Sequence, residues 1–146
     1  MTTKVTEQAT SMPYSLADIA GIGSDSASAL KTLGIRTASR LLEAAGNPKG
    51  RQKLADQIGV DQKRILRWAN LVDRMRIKGV GEDYAELLRA VGVDTVKELK
   101  YRNPAKLAKA MRAANTKRKL VRVLPSDRAV ERWVETAKKL PLKISY

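Results

Sequence analysis

The chain has 146 residues, with 29 Lys and Arg against 15 Asp and Glu and a formal net charge of +14, a balance that favours polyanionic partners. It has no cysteine and no histidine, which excludes disulfides and thiolate metal sites and removes the commonest general base. No apolar run reaches the roughly 18 residues of a membrane span and no apolar signal core opens the chain, so neither a membrane span nor secretion is expected and a cytoplasmic setting is the default.

Apolar residues make up 43% of the chain, yet Phe is absent and the aromatics are two Trp and four Tyr. Ala, Leu, Val and Ile supply the rest, as in helices packed through small side chains. Residues 1–14 are polar and aperiodic and are expected to form a mobile tail. Ser15 is placed to cap a short helix through Leu16 and Ile19. Gly21 and Gly23 mark a tight turn, followed by a helix over Ser24–Leu33 with Ala27, Leu30 and Leu33 on its buried stripe and Gly34 as a left-handed cap. Thr37 restarts a helix carrying Leu41 and Leu42. Asn47-Pro48 sets a capping residue before a proline at the first helical position, and this third helix holds Leu54, Ala55 and Ile58 and stops at Gly59. Asp61 caps a longer helix with Ile65, Trp68, Leu71, Val72 and Met75 on its apolar face.

From Ile77 the pattern begins again without a linker. IAGIGSDSASALKTLGI (Ile19–Ile35) and IKGVGEDYAELLRAVGV (Ile77–Val93) lie 58 residues apart and share seven of 17 positions. Each copy runs apolar, any residue, Gly, apolar, Gly, then a helix with Ala and Leu inside, an order that resembles the helix-hairpin-helix of DNA-binding proteins. Thr95 heads a Thr-x-x-Glu capping box with Glu98, Asn103-Pro104 repeats Asn47-Pro48, and a helix with Leu107, Ala110, Met111 and Ala114 inside follows. The second copy is longer by about seven residues, an excess that falls in Asn115–Pro125, where Val121, Val123 and Leu124 are expected to form a short extended link. Ser126 caps a last helix with Val130, Trp133, Val134 and Ala137. Trp68 and Trp133, set at helical spacing among Ile, Leu and Val, belong in the core rather than against bases. The expected fold class is all-α: two tandem helix-hairpin-helix repeats packed as one compact helical body, the first over 15–76 and the second over 77–146, each of four or five short helices.

A glycine corner opens backbone angles closed to other residues and leaves N–H groups uncovered at a helix start, where the dipole favours an anion such as phosphate. The candidate contacts are therefore Gly21, Ile22, Gly23 and Ser24 in the first copy, and Gly79, Val80 and Gly81 in the second. Lys31 and Lys78 flank the corners, and Ser24 and Ser26 offer hydroxyls. The charge is uneven: residues 77–146 carry seventeen cations and eight acids, against twelve and seven before them. Between Lys100 and Ser126 there is no acid but nine cations, Lys100, Arg102, Lys106, Lys109, Arg112, Lys117, Arg118, Lys119 and Arg122. Lys106, Lys109 and Arg112 fall three apart on one helix, and a helix without a polyanion ordinarily intersperses Glu. The first copy offers a smaller cluster of Lys49, Arg51, Lys53, Lys63, Arg64 and Arg67. Phosphate contacts are indifferent to base sequence, so the expected function is non-enzymatic, sequence-independent nucleic-acid binding with duplex DNA preferred. Asp25, Glu82 and Asp83 stand where a phosphate would bind and also serve the helix dipole. They favour the alternative, a protein–protein adaptor whose corners or basic patch bind an acidic partner.

Catalysis is not expected: the acids are scattered rather than grouped for metals, and no lysine has the apolar surroundings of a nucleophile. Gly92-Val93-Asp94 resembles the Gly-Pro-Asp loop of hairpin-containing DNA glycosylases, but it lies too near the corner and Asp83 stands where the lyase lysine would be. No cofactor, metal or small-molecule substrate is expected. From Ile19 to Tyr146 the order of elements is similar to a bacterial family of small tandem helix-hairpin-helix proteins of unassigned function. The likeness rests on IAGIGSDSASALKTLGI, LADQIGVDQKRILRWANLVDRMRIKGVGEDYAELLRAVGVDTVKEL, NPAKLAKAM and VERWVETAKKLP. Members tend to be labelled by analogy with the hairpin region of flap-type nucleases without the nuclease core. The resemblance implies the fold; corners of this shape serve DNA and protein contacts alike.

Overall fold

The structure, a computed structural model, describes residues 14–146; the tail expected over 1–14 lies, Tyr14 aside, outside them. The regular elements among these residues are helical: a 3-10 turn at Leu16–Asp18 and eight α-helices, α1 (Ser24–Thr32), α2 (Ala38–Ala45), α3 (Pro48–Ile58), α4 (Gln62–Arg74), α5 (Glu82–Ala90), α6 (Val96–Lys100), α7 (Pro104–Arg118) and α8 (Asp127–Lys139). An isolated antiparallel bridge joins Ser15 and Thr37. The chain divides into two compact units, one reaching to Val72 and including Lys143–Tyr146, the other Asp73–Leu142.

Local chemistry places most helix ends. The side chains of Thr37, Asn47, Asn103 and Ser126 accept from the amides of Arg40 (3.2 Å), Gly50 (2.7 Å), Lys106 (3.0 Å) and Ala129 (3.0 Å), caps worth about 1 kcal/mol each. Both halves of the Thr95–Glu98 capping box are formed, and Asp61 accepts from the Lys63 amide at 2.7 Å. Pro48 and Pro104 occupy first helical turns, and Gly59 closes α3 in the left-handed conformation. Ser15 departs from expectation. Its side chain makes no capping bond and the turn it precedes is three residues long, because the chain there runs extended: Leu16 donates its amide to Arg36 and Ala38 donates to Tyr14, both at 3.0 Å.

The duplication extends to main-chain hydrogen bonds. The amides of Ile22 and Val80 donate to Ile19 and Ile77 at 3.1 and 2.9 Å, those of Ala27 and Ala85 to Gly23 and Gly81 at 3.0 and 2.9 Å, and those of Ile35 and Val93 to Leu30 and Leu88 at 3.0 and 2.9 Å. The correspondence begins at Ser15 and Asp73, which accept from Asp18 and Arg76. The corners differ in one respect. In the first the left-handed residue is the second glycine, Gly23 (φ 87°); in the second it is the first, Gly79 (φ 91°), while Gly81 has φ −88°.

In the first unit α1 packs on the 3-10 turn and on α3, and α2 packs on α3, burying Leu16, Leu30, Leu41, Leu42 and Leu54. In the second, α6 and α7 pack on α8 and α5 packs on α7, burying Leu88, Leu99, Leu107, Met111 and Val130. Each such side chain contributes about 1.5–3 kcal/mol of transfer free energy. Trp68 and Trp133 are both buried. Leu33 is not: α1 ends at Thr32, and Leu33, at its C-cap, is 38% exposed. The inner face of α7 is Leu107, Ala108 and Met111, with Ala110 and Ala114 half-buried. That helix also runs on to Arg118, so the link spans 119–125 rather than 115–125. The Asn115 carboxamide explains this, because it pins the returning chain from within the helix, donating to the Val121 carbonyl at 3.1 Å and accepting its amide at 3.0 Å.

Candidate functional site

Among the described residues Arg51, Asp73 and Arg74 are buried charged residues that belong to no surface. Arg51, expected in the basic cluster of the first copy, instead donates to the carbonyls of Ala45 (3.0 Å) and Ser145 (2.8 Å). A guanidinium can satisfy two carbonyls at once through its planar fork, which makes it a tie rather than a free cation. Arg74 donates to the carbonyls of Ala85, at 3.1 Å, and Asp94, bracing the start of α5 behind the second corner.

The corners themselves are narrower sites than the sequence implied. Ile22 and Val80 are buried, and their amides are consumed by the turn bonds to Ile19 and Ile77. Neither residue has an amide to offer a ligand. Ser26 is buried as well, which withdraws its hydroxyl. Gly21, Gly23, Ser24, Lys78 and Gly79 are exposed and Gly81 is half-buried. Asp25 lies in the first turn of α1, and Glu82 and Asp83 lie in that of α5.

A groove of about 850 Å³ opens in the second unit, with Gly79, Gly81, Glu82, Asp83 and Tyr84 on one side and the link residues Lys119–Val123 on the other. Each wall is built locally. Lys119 ends α7 in the left-handed conformation (φ 49°, ψ 46°), with its amide bonded to the Asn115 carbonyl at 2.8 Å. Asn115 then fixes Val121, and the Tyr84 hydroxyl donates to the Val123 carbonyl at 2.7 Å. The Tyr84 ring lies 5.3 Å from that of Trp133, tilted by 48°. A Cβ on Gly79 would stand 3.3 Å from Trp133 Nε1, so the corner is glycine both for its backbone angle and for the indole beside it.

The nine cations of the acid-free run do not share one fate. Lys119 and Arg122 line the groove. Lys106, Lys109, Lys117 and Arg118 are exposed along α7. Arg112 is paired with Asp127 at 2.9 Å: the run is free of acids in sequence but not in space, because α8 begins with a carboxylate opposite it. Arg102 is half-buried and donates to the Val91 carbonyl at 3.3 Å, and the Lys100 ammonium sits 5.1 Å over the exposed Tyr101 ring. The groove residues that the sequence did not mark as a site are Tyr84, Leu120, Val121 and Val123. The extra length of the second copy at the link was the signal for Leu120, Val121 and Val123; Tyr84, in α5, had none.

Residues 20–140 match the family described as domain of unknown function (DUF4332). The chain belongs to this family. The DUF4332 match takes in Gly21 and Gly23, the second corner, the groove and the eight α-helices of the described residues. No curated protein and no solved structure matches the chain. Among the described residues no helix is long and apolar enough to cross a membrane.

Proposed function

We propose that this DUF4332 chain is a non-enzymatic, sequence-independent nucleic-acid-binding protein with a preference for duplex DNA, acting in the cytoplasm, and that its glycine corners are helix-hairpin-helix elements. The chief support is the groove of the second unit, which puts Lys119 and Arg122 across from the Gly79–Gly81 corner. Exposed Lys106, Lys109, Lys117 and Arg118 on α7 add cations to the same unit. Such a surface gains affinity by releasing counterions from the phosphate backbone, a term blind to base identity. Glu82 and Asp83 repel a phosphate from the start of α5, so the contact falls to the link and α7. Corner amides play a smaller part than the sequence implied.

The test is fluorescence anisotropy of labelled duplex and single-stranded DNA at several salt concentrations. About six phosphate contacts give a log–log salt slope near −5. Lys106→Ala with Lys109→Ala weakens binding uniformly across sequences. Absence of binding at about 50 mM salt, where phosphate contacts are strong, removes the proposal.

The groove's carboxylates favour a second reading, an adaptor that binds an acidic protein segment through the α7 cations while Glu82 and Asp83 exclude nucleic acid from the corner. Binding of a polyglutamate peptide by a protein that ignores DNA is the outcome that separates the two.

A further inference from the structure

We infer that Lys119 and Arg122 form a phosphate-binding subsite in the groove of the second unit, and that Lys119 is held in an unfavourable backbone conformation to supply it; the inference rests on the nucleic-acid reading above. Lys119 is the one non-glycine residue of positive φ among the described residues. The left-handed position after a helix is where glycine is favoured, since any Cβ there crowds the following carbonyl. Three glycines of this chain follow helices with positive φ, Gly34, Gly59 and Gly92, and glycine at 119 would do the same for α7. A lysine at that position gives up backbone stability, and the side chain it retains lines the groove. Observed strain of this kind points to a role for the side chain itself.

The surroundings fit an anion. Among the described residues neither Lys119 nor Arg122 has a side-chain hydrogen bond or ion-pair partner, whereas Arg112, Arg76 and Lys138 are each paired with a carboxylate. The two cations sit three residues apart on a link whose course is fixed by Asn115 and Tyr84, so their spacing does not have to be ordered on binding. The opposite wall carries Glu82 and Asp83, which repel a phosphate and direct it to the link side. The ligand class is a phosphodiester: a planar guanidinium and a point ammonium together match its two non-bridging oxygens, which share one negative charge.

The experiment compares the salt slope of duplex binding for the wild type, Lys119→Asn, Lys119→Arg, Lys119→Gly and, as a control of equal charge loss, Lys97→Gln on α6, whose side chain is exposed outside the groove. Asn tolerates the left-handed angle without the charge. The expected result is a slope lowered by about one in Lys119→Asn and Lys119→Gly, restored in Lys119→Arg, and unchanged in Lys97→Gln. Lys119→Gly keeps or raises the melting temperature while it loses affinity, a divergence that a purely structural lysine does not give. A Lys119→Asn slope equal to that of the wild type, or a loss no larger than that of Lys97→Gln, overturns the subsite while leaving DNA binding in place. A wild type that ignores DNA overturns the nucleic-acid reading and the subsite with it.

Discussion

The guanidinium of Arg74 donates to the carbonyl of Asp94 at the place where, 58 residues earlier, the amide of Leu16 donates to the carbonyl of Arg36. In the first unit the chain enters the repeat extended and pairs by its main chain, through Leu16 and Ala38. In the second it arrives as the last turn of α4, whose amides are committed to the helix, and side chains take over. Arg74 reaches Asp94 and Ala85, and the Asp73 carboxylate accepts from the amide of Val96, the counterpart of Ala38, and from Arg76 Nε at 2.7 Å. Burial pushes the Asp73 carboxyl above the usual carboxylate range, while Arg76, Arg74 and Val96 pull the other way. A two-bond bridge in one unit is thus replaced by a buried ionic cluster in the other.

Arg74→Met is expected to destabilise the second unit by about 1–3 kcal/mol for each carbonyl it strands, because the carbonyls of Ala85 and Asp94 lose their donor while Asp73 keeps Arg76. A urea unfolding midpoint close to that of the wild type would show that the cluster contributes little.

The raised Asp73 value gives stability a definite sign with pH. Over the interval between the unfolded value, about 4, and the higher folded one, the folded state holds the proton more tightly, so this group's contribution declines as pH rises. Asp73→Asn removes that component. Melting curves across the mildly acidic range should show the wild type losing stability relative to the variant as pH increases; a relative gain contradicts the assignment.

Three of the four corner glycines, Gly79, Gly23 and Gly81, are expected to rank by their local geometry. Gly79→Ala meets both a positive φ and the Trp133 indole, for a loss of about 2 kcal/mol or more with a change in tryptophan fluorescence. Gly23→Ala has the positive φ but open space, for about 1–2 kcal/mol. Gly81→Ala has neither and is close to neutral. Equal losses at Gly23 and Gly81 in thermal melts would refute the ranking.

Glu82→Gln with Asp83→Asn is expected to tighten duplex binding several-fold at low salt, because two like charges leave the groove that the phosphate enters. The same change lowers the melting temperature slightly, since both carboxylates favour the positive end of α5. Anisotropy and melting together read the opposite signs, and weaker binding would place the ligand elsewhere.

Local order was legible in the order of the amino acids. The caps at Thr37, Asn47, Thr95, Asn103 and Ser126, the prolines after Asn47 and Asn103, and the burial of Trp68 and Trp133 follow from interactions within one or two helical turns, whose spacing is written in the chain. The duplicated corner was legible for the same reason. Only the folded chain shows that Arg51, Asp73 and Arg74 are internal ties, that Arg112 meets Asp127, and that Lys119 and Arg122 line a groove beside the second corner. Each of those outcomes involves a partner distant in sequence, as with Arg51 and Ser145, 94 residues apart, or Arg112 and Asp127, 15 apart. Charge and composition show that a cation exists, but whether it faces solvent, a carbonyl or a carboxylate depends on which neighbour the folded chain brings beside it.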